Sequence, residues 1–262
     1  MSEDASVVRV ERDEGLAVLS LDSPPLNLFD RGMFEGLQGA IEEIEGEPPR
    51  ALLIRAEGRA VSGGVDVHAF DGLTPEGAGE LWDELLGLVE RVERLPLPSV
   101  FAAHALTLTA AFELSLACDL IVAARAAKFG LVEKVVGLTP SMGGTQRLAE
   151  RAGSGRAKQL VMTGELFGAE ELERWGVVNL VFDDAEFETR SRAFAAELAS
   201  GPTRAHAMTK HILRRYIEGG VAAADQAVRT DAVDLFATED LQNAVSTFLE
   251  HGGPGHAEFH GR

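Results

Sequence analysis

The chain has 262 residues, 45% hydrophobic and 25% charged, which is enough for one large domain or two small ones with a true core and too apolar for a disordered chain. A net charge of −18 and an isoelectric point near 4.8 repel phosphate, so neither nucleic acid nor an anionic membrane surface is expected as a partner. The single cysteine, Cys118, precludes an intrachain disulfide and fits a reducing, cytoplasmic setting. Residues 1–4 are acidic and lack an apolar run, so no signal peptide is expected. The stretch 95–112 carries no Asp, Glu, Lys or Arg. Its prolines, threonines and His104 mark it as buried core, not a membrane span.

In chain order, residues 7–12 and 16–21 flank Asp13-Glu14-Gly15 and predict two strands joined as a hairpin, closed by Ser23-Pro24-Pro25. Asp30 is placed to cap a helix whose apolar positions Met33, Phe34, Leu37, Ile41 and Ile44 fall at helical spacing, and Gly46-Glu47-Pro48-Pro49 stops it. Residues 51–54 are continuously apolar, as a buried strand requires. Thr74-Pro75 opens a long helix with Leu81, Leu85, Leu88, Val92 and Leu95 on one stripe, widened by Trp82 and Val89. A strand at 99–103, a helix near 110–117 and a strand at 119–123 follow. Beyond about Gly143 the pattern predicts helices at 143–152, 155–163, 169–175, 185–200, 203–218, 221–236 and 239–249, interrupted by one strand at 177–182. The order implies α/β layering. The Gly- and His-rich tail at 251–256 has the composition of a flexible segment.

Several chemistries are not encoded. The Gly-rich segment 137–144 is not followed by Gly-Lys-Ser/Thr, and Gly153-Ser154-Gly155 lacks a third glycine. No Gly-x-Ser-x-Gly elbow surrounds Ser62 or Ser141. The seven histidines form no His-x-x-x-His pair, and no metal site is read. Cys118, at the end of an apolar helix, reads as an inert core thiol.

Two segments stand out. Residues 58–67, Gly-Arg-Ala-Val-Ser-Gly-Gly-Val-Asp-Val, follow a buried strand. They read either as a turn that needs glycine dihedrals or as backbone amides facing a ligand. Residues 109–119, Thr-Ala-Ala-Phe-Glu-Leu-Ser-Leu-Ala-Cys-Asp, put Glu113 on a helix beside Thr109, Ala110, Leu116 and Ala117, none of them a charge partner. A carboxyl buried there is paired with a distant Arg, hydrated, or protonated with a raised pKa. The last is the environment of a general acid or base. Glu133, next to Lys134, reads locally as a solvated pair.

These segments resemble the enoyl-CoA hydratase/isomerase (crotonase) family. Ala60-Val61-Ser62-Gly63-Gly64-Val65-Asp66 is similar to its first oxyanion segment, and Phe112-Glu113-Leu114-Ser115-Leu116-Ala117-Cys118-Asp119 to the segment after the second. Phe129-Gly130-Leu131-Val132-Glu133, followed by Gly137-Leu138-Thr139-Pro140-Ser141-Met142-Gly143-Gly144-Thr145-Gln146-Arg147-Leu148, is the most specific match. Thr163-Gly164-Glu165, Ala169-Glu170-Glu171, Gly176-Val177-Val178-Asn179 and Thr209-Lys210 agree further on, so the likeness runs over nearly the whole chain.

The resemblance implies an α/β fold, a crotonase-like spiral of ββα units over residues 1–200, with a helical C-terminal region at 201–262 that forms a homotrimer or a dimer of trimers. Leu235, Phe236, Val245 and Phe248 are apolar positions suited to such an interface. It implies an acyl-CoA thioester as substrate, with coenzyme A part of that substrate and no separate cofactor. The amides of Val65 and Ala110 would form an oxyanion hole, Glu113 and Glu133 would be catalytic, and Gly63, Gly64, Asp66, Val67 and Lys210 would contact the ligand, with Lys210 and Arg214, of the same or a neighbouring subunit, the candidates for the CoA phosphates. Isomerase members usually keep only the second glutamate, so the pair favours hydration. Isomerase chemistry, another acyl-CoA reaction, or thioester binding without turnover are the alternatives. The chain departs from the family pattern at Thr109-Ala110-Ala111 in place of Gly-Gly-Gly, at His104-Ala105 in place of Asn-Gly, at His68 in place of Lys and at Val132 in place of Pro. The Ala110 methyl is expected to narrow the pocket, and a positive φ there would cost about 1 kcal/mol relative to glycine.

Overall fold

A computed structural model describes residues 6–262, and the acidic stretch 1–4 lies outside them. Strands β1 (Val8–Asp13) and β2 (Leu16–Leu21) form the expected antiparallel hairpin. Helix α1 (Arg31–Gly46) starts where Asp30 accepts a hydrogen bond from the Met33 N–H, and it buries the predicted apolar face. β3 (Ala51–Ala56), α2 (Pro75–Arg94) and β4 (Ser99–Ala103) follow. Then come β5 (Leu106–Leu108), α3 (Ala110–Ala117), β6 (Leu120–Ala124) and β7 (Lys128–Gly130). The remaining elements are α4 (Gly144–Ala152), α5 (Ser154–Thr163), β8 (Phe167–Gly168), α6 (Ala169–Arg174), β9 (Leu180–Phe182), α7 (Phe187–Ser200), α8 (Thr203–Thr230) and α9 (Glu239–His251).

The strands divide between two sheets. One has the order β1-β2-β3-β4-β6-β9, parallel beyond the first hairpin, and the other the order β5-β7-β8. The chain therefore spirals: a strand in the large sheet, a strand in the small one, then a helical turn, as in β4-β5-α3 and again from β6 and β7 into the 3-10 turn Glu133–Val136. β2 and β4 are buried at every position, which is why they read as continuous apolar runs. β5, β7 and β8, of three, three and two residues, are absent from the sequence reading. A period of two needs more residues than that to show.

One further expectation is corrected. The helix expected at 221–236 ends at Thr230, continuing as a 3-10 turn, Ala232–Ala237. The break before it falls at Gly219-Gly220, as the sequence suggests. Beyond 251–256 the end of the chain is anchored: the His260 and Gly261 N–H groups donate to the Asp240 carboxylate, and the Asp240 N–H donates to the Arg262 carbonyl. Asp240, at the start of α9, is 3% exposed. It fixes the tail's end against a helix N-terminus, where a carboxylate is favoured. Among the described residues no helix is long and apolar enough to cross a membrane.

Candidate active site

The segment leaving β3 is pinned first. The Ser62 hydroxyl donates to the Asn27 carbonyl and accepts from the Gly64 N–H, while Ser62 bridges to Thr107 and Val65 to Phe29. Gly63, Gly64 and Val65 thereby line a cleft of about 540 Å³ with Thr109, Glu113 and Glu133. Its apolar wall comes from Phe34, Phe70, Leu81, Leu85 and Met142. Leu81 is only half-buried, so part of the predicted core stripe of α2 faces the cleft.

All eight residues of α3 are buried, because none but Glu113 and Ser115 is polar. Glu113 is 2% exposed, and its Oε2 accepts 2.8 Å hydrogen bonds from the N–H groups of Met142 and Gly144 at the start of α4. A Cβ on Gly144 would stand 2.7 Å from the Glu113 side chain, so only glycine permits this approach. Among the described residues no cation pairs with Glu113; burial first, and the charge of Glu133 second, push its pKa up to about 8 against the pull of those amides. Among the described residues no distant Arg neutralises it.

Glu133 departs from its local reading. It forms no ion pair with Lys134, whose stem lies over Gly164. Both Glu133 carboxyl oxygens are shielded and have no hydrogen-bond partner among the described residues. Burial raises its pKa to about 7.

Thr109 is the residue that the sequence reading undervalued. Its φ of 45° and ψ of −118° are rare for a β-branched side chain. Such strain costs on the order of 1–3 kcal/mol and persists only when neighbours over-determine it. Here the Thr109 N–H donates to the Gly130 carbonyl, the Thr109 carbonyl accepts from the Glu113 N–H, and Thr109 Oγ1 accepts from the Val65 N–H at 3.1 Å. The positive φ thus falls on Thr109, not on Ala110 or Ala111. Thr109 lines the cleft, whereas the Ala110 methyl, expected to narrow it, is fully buried. Ala110 is the first residue of α3, so its N–H has no earlier helical carbonyl to meet. The signal was a branched residue at a position where the family carries glycine.

Of the other expected contacts, Val67 lines the cleft. Asp66 does not: it accepts from the His68 N–H and faces the His68 ring, capping the 3-10 turn Val67–Phe70. Lys210 is not brought to this cleft. Its ammonium lies 2.9 Å from Asp119 Oδ2 and donates to the Leu97 carbonyl, in a second groove. Arg214, in the same groove, faces Glu218 and His211. Cys118 is buried, with its thiol pushed up to about 12 by burial, as an inert core thiol should be.

A strand–strand–helix spiral that turns two carboxyl groups, neither paired with a cation among the described residues, into one largely apolar cleft has the makings of an acid–base site. Residues 11–259 match the family model for enoyl-CoA hydratase/isomerase, and the chain belongs to that family. It is 33% identical to a "probable enoyl-CoA hydratase" of Rhodobacter capsulatus over 250 residues, covering 94% of this chain and 96% of that one. It is 30% identical to the crotonyl-CoA hydratase of Syntrophomonas wolfei over 248 residues, covering 92% and 94%. Among solved structures, an enoyl-CoA hydratase from Bacillus anthracis superposes with a TM-score of 0.90 at 27% identity, covering 98% of this chain and 100% of the other.

Proposed function

We propose that the protein is an enoyl-CoA hydratase, adding water across the double bond of an α,β-unsaturated acyl-CoA thioester. One observation carries the reading: Glu113 and Glu133 share a cleft and neither is paired with a cation among the described residues, Arg31 at the same cleft pairing with Glu35 instead, and their pKa values are raised to about 8 and about 7. Near neutral pH such a pair holds roughly one proton between two carboxyls. Hydration needs that composition. An ionised carboxyl takes a proton from water as the water oxygen bonds to the β-carbon, and a protonated one delivers a proton to the α-carbon. The unpartnered oxygens of Glu133 and the free lone pairs of Glu113 suit a water held between them. Negative charge that develops on the thioester oxygen would be met by the N–H groups of Val65 and Ala110, the latter at a helix start. The names of the relatives support the same substrate class.

Glu113→Gln and Glu133→Gln should each cut crotonyl-CoA hydration by about 10²–10⁴-fold while acyl-CoA binding persists. The double variant should be little worse than either single one, because both groups act on one water. Turnover that survives both substitutions, or a wild type already as slow as the variants, sinks the proposal.

The reading extends to a homotrimer or dimer of trimers. Tyr216, Ile217, Val221, Phe236, Phe248 and Leu249 on the C-terminal helices are each at least half exposed, an apolar surface suited to burial between subunits. Sedimentation as a stable monomer at micromolar concentration would refute this.

A further inference from the structure

The hydrogen bond between Thr109 Oγ1 and the Val65 N–H puts a side-chain oxygen of the protein on the donor that a substrate oxygen is proposed to use. We propose that Thr109 is a built-in competitor for the thioester carbonyl, and that it sets the affinity of the cleft for acyl thioesters. The inference rests on the reading above, in which Val65 N–H receives that carbonyl.

The placement is enforced, not incidental. Thr109 is 7% exposed and held in its unusual backbone conformation by bonds to Gly130 and Glu113. A Cβ on Gly64 would lie 2.9 Å from Thr109 Oγ1, so Gly64 leaves the space that the hydroxyl fills. The hydroxyl oxygen accepts from Val65 one residue before the Ala110 N–H, where the carbonyl oxygen would have to sit.

Binding a thioester through Val65 then means breaking a bond that the protein already makes. A water displaced from such a donor returns to bulk and recovers its hydrogen bonds. A hydroxyl displaced on a residue only 7% exposed has little water to turn to, so its loss counts against the ligand. The penalty falls on ligands that present a carbonyl oxygen. A thioether, which lacks that oxygen, has no reason to disturb the pair.

Calorimetric titration with two unreactive ligands, butyryl-CoA and its thioether counterpart S-butyl-CoA, tests this. Removing the hydroxyl in Thr109→Ala should tighten butyryl-CoA by about threefold to tenfold, the worth of one net hydrogen bond, and leave S-butyl-CoA unchanged. Thr109→Gly, which also relieves the backbone strain, should do the same and guards against a folding defect of the alanine variant. Thr109→Ser, which restores the acceptor, should bind both ligands as the wild type does. Equal tightening of both ligands would show that Thr109 only occupies space and would overturn the proposal. No tightening in either variant, or a serine variant that behaves like alanine, would overturn it too. Those results leave the acyl-CoA reading standing; failure of butyryl-CoA to bind any of the proteins would overturn both.

Discussion

Two grooves of nearly equal size, about 540 and 560 Å³, open on opposite ends of α3, and they treat charge in opposite ways. At the second groove Asp119, just past the helix, accepts from the Ser99 N–H and hydroxyl and pairs with Lys210. Arg147 there pairs with Glu93, and Arg151 donates to the carbonyls of Cys118 and Asp119. Each of these charges has a hydrogen-bonding partner. At the cleft, Glu113 has only backbone amides and Glu133 has no hydrogen-bond partner among the described residues, so protonation there is decided by burial and by each other. A site that only holds the fold together pairs its ions. A site that moves protons leaves them unpaired and pays in stability.

The sharpest way to break that contrast is to neutralise Glu113. Its folded pKa, about 8, stands above the ordinary 4.5. The folded state therefore keeps a proton that the unfolded chain releases once pH passes 4.5, and stability falls as pH rises toward 8. Glu113→Gln cannot titrate and retains an oxygen for the Met142 and Gly144 amides. Its advantage over the wild type should be near zero at pH 4.5 and grow to a few kcal/mol by pH 8, with each kcal/mol moving Tm by roughly 2–4 °C. Thermal melts of both proteins from pH 4.5 to 8.5 check this. A constant gap between them, or a wild type that gains stability with pH relative to the variant, contradicts it.

Neutralising a charge in the other groove should do the reverse. Lys210 and Asp119 have side chains 17% and 27% exposed. Lys210→Ala leaves Asp119 with only its Ser99 donors and strips the Leu97 carbonyl, at a cost of about 1–3 kcal/mol. Urea unfolding at pH 7 measures it. A neutral or stabilising result would mean that the pair is too well solvated to matter, and the opposition between the two grooves would be lost.

The sequence made the large sheet legible because its buried strands are continuous apolar runs, and it made the burial of Glu113 legible because α3 is apolar on every side. Glu133 was legible through the family resemblance but not from its neighbours: Lys134 is adjacent in the chain, yet the turn at Glu133–Val136 sends the lysine toward Gly164 and the carboxyl inward. The partner of Lys210 within the chain was hidden for a related reason. A lysine on a helix shows its charge in the sequence but not its partner, and Asp119 is ninety-one positions away. Thr109 shows the same limit at the backbone. Which of three consecutive residues takes the positive φ is settled by the bonds to Gly130 and Val65, not by Thr-Ala-Ala itself. The tail's anchor, Asp240, is likewise a contact between ends of one short segment that composition cannot register.

The smallest expected effect is the most direct probe of how the two carboxyls communicate. Two causes raise the Glu113 pKa, burial and the charge on Glu133, with burial the larger. Glu133→Gln removes the second cause and leaves the first, along with the opposing amides of Met142 and Gly144. Glu113 should then titrate below about 8 but still above 4.5. The Glu113 carboxyl stretch in infrared difference spectra across pH 4 to 10, assigned by its loss in Glu113→Gln, reads the shift. A midpoint that stays near 8 would mean the two groups do not sense each other, and a proton shared across the cleft would be untenable. A midpoint that drops to 4.5 would mean Glu133, not burial, holds the proton on Glu113. Only an intermediate value fits a site in which the apolar helix supplies most of the displacement and the second carboxyl adjusts it.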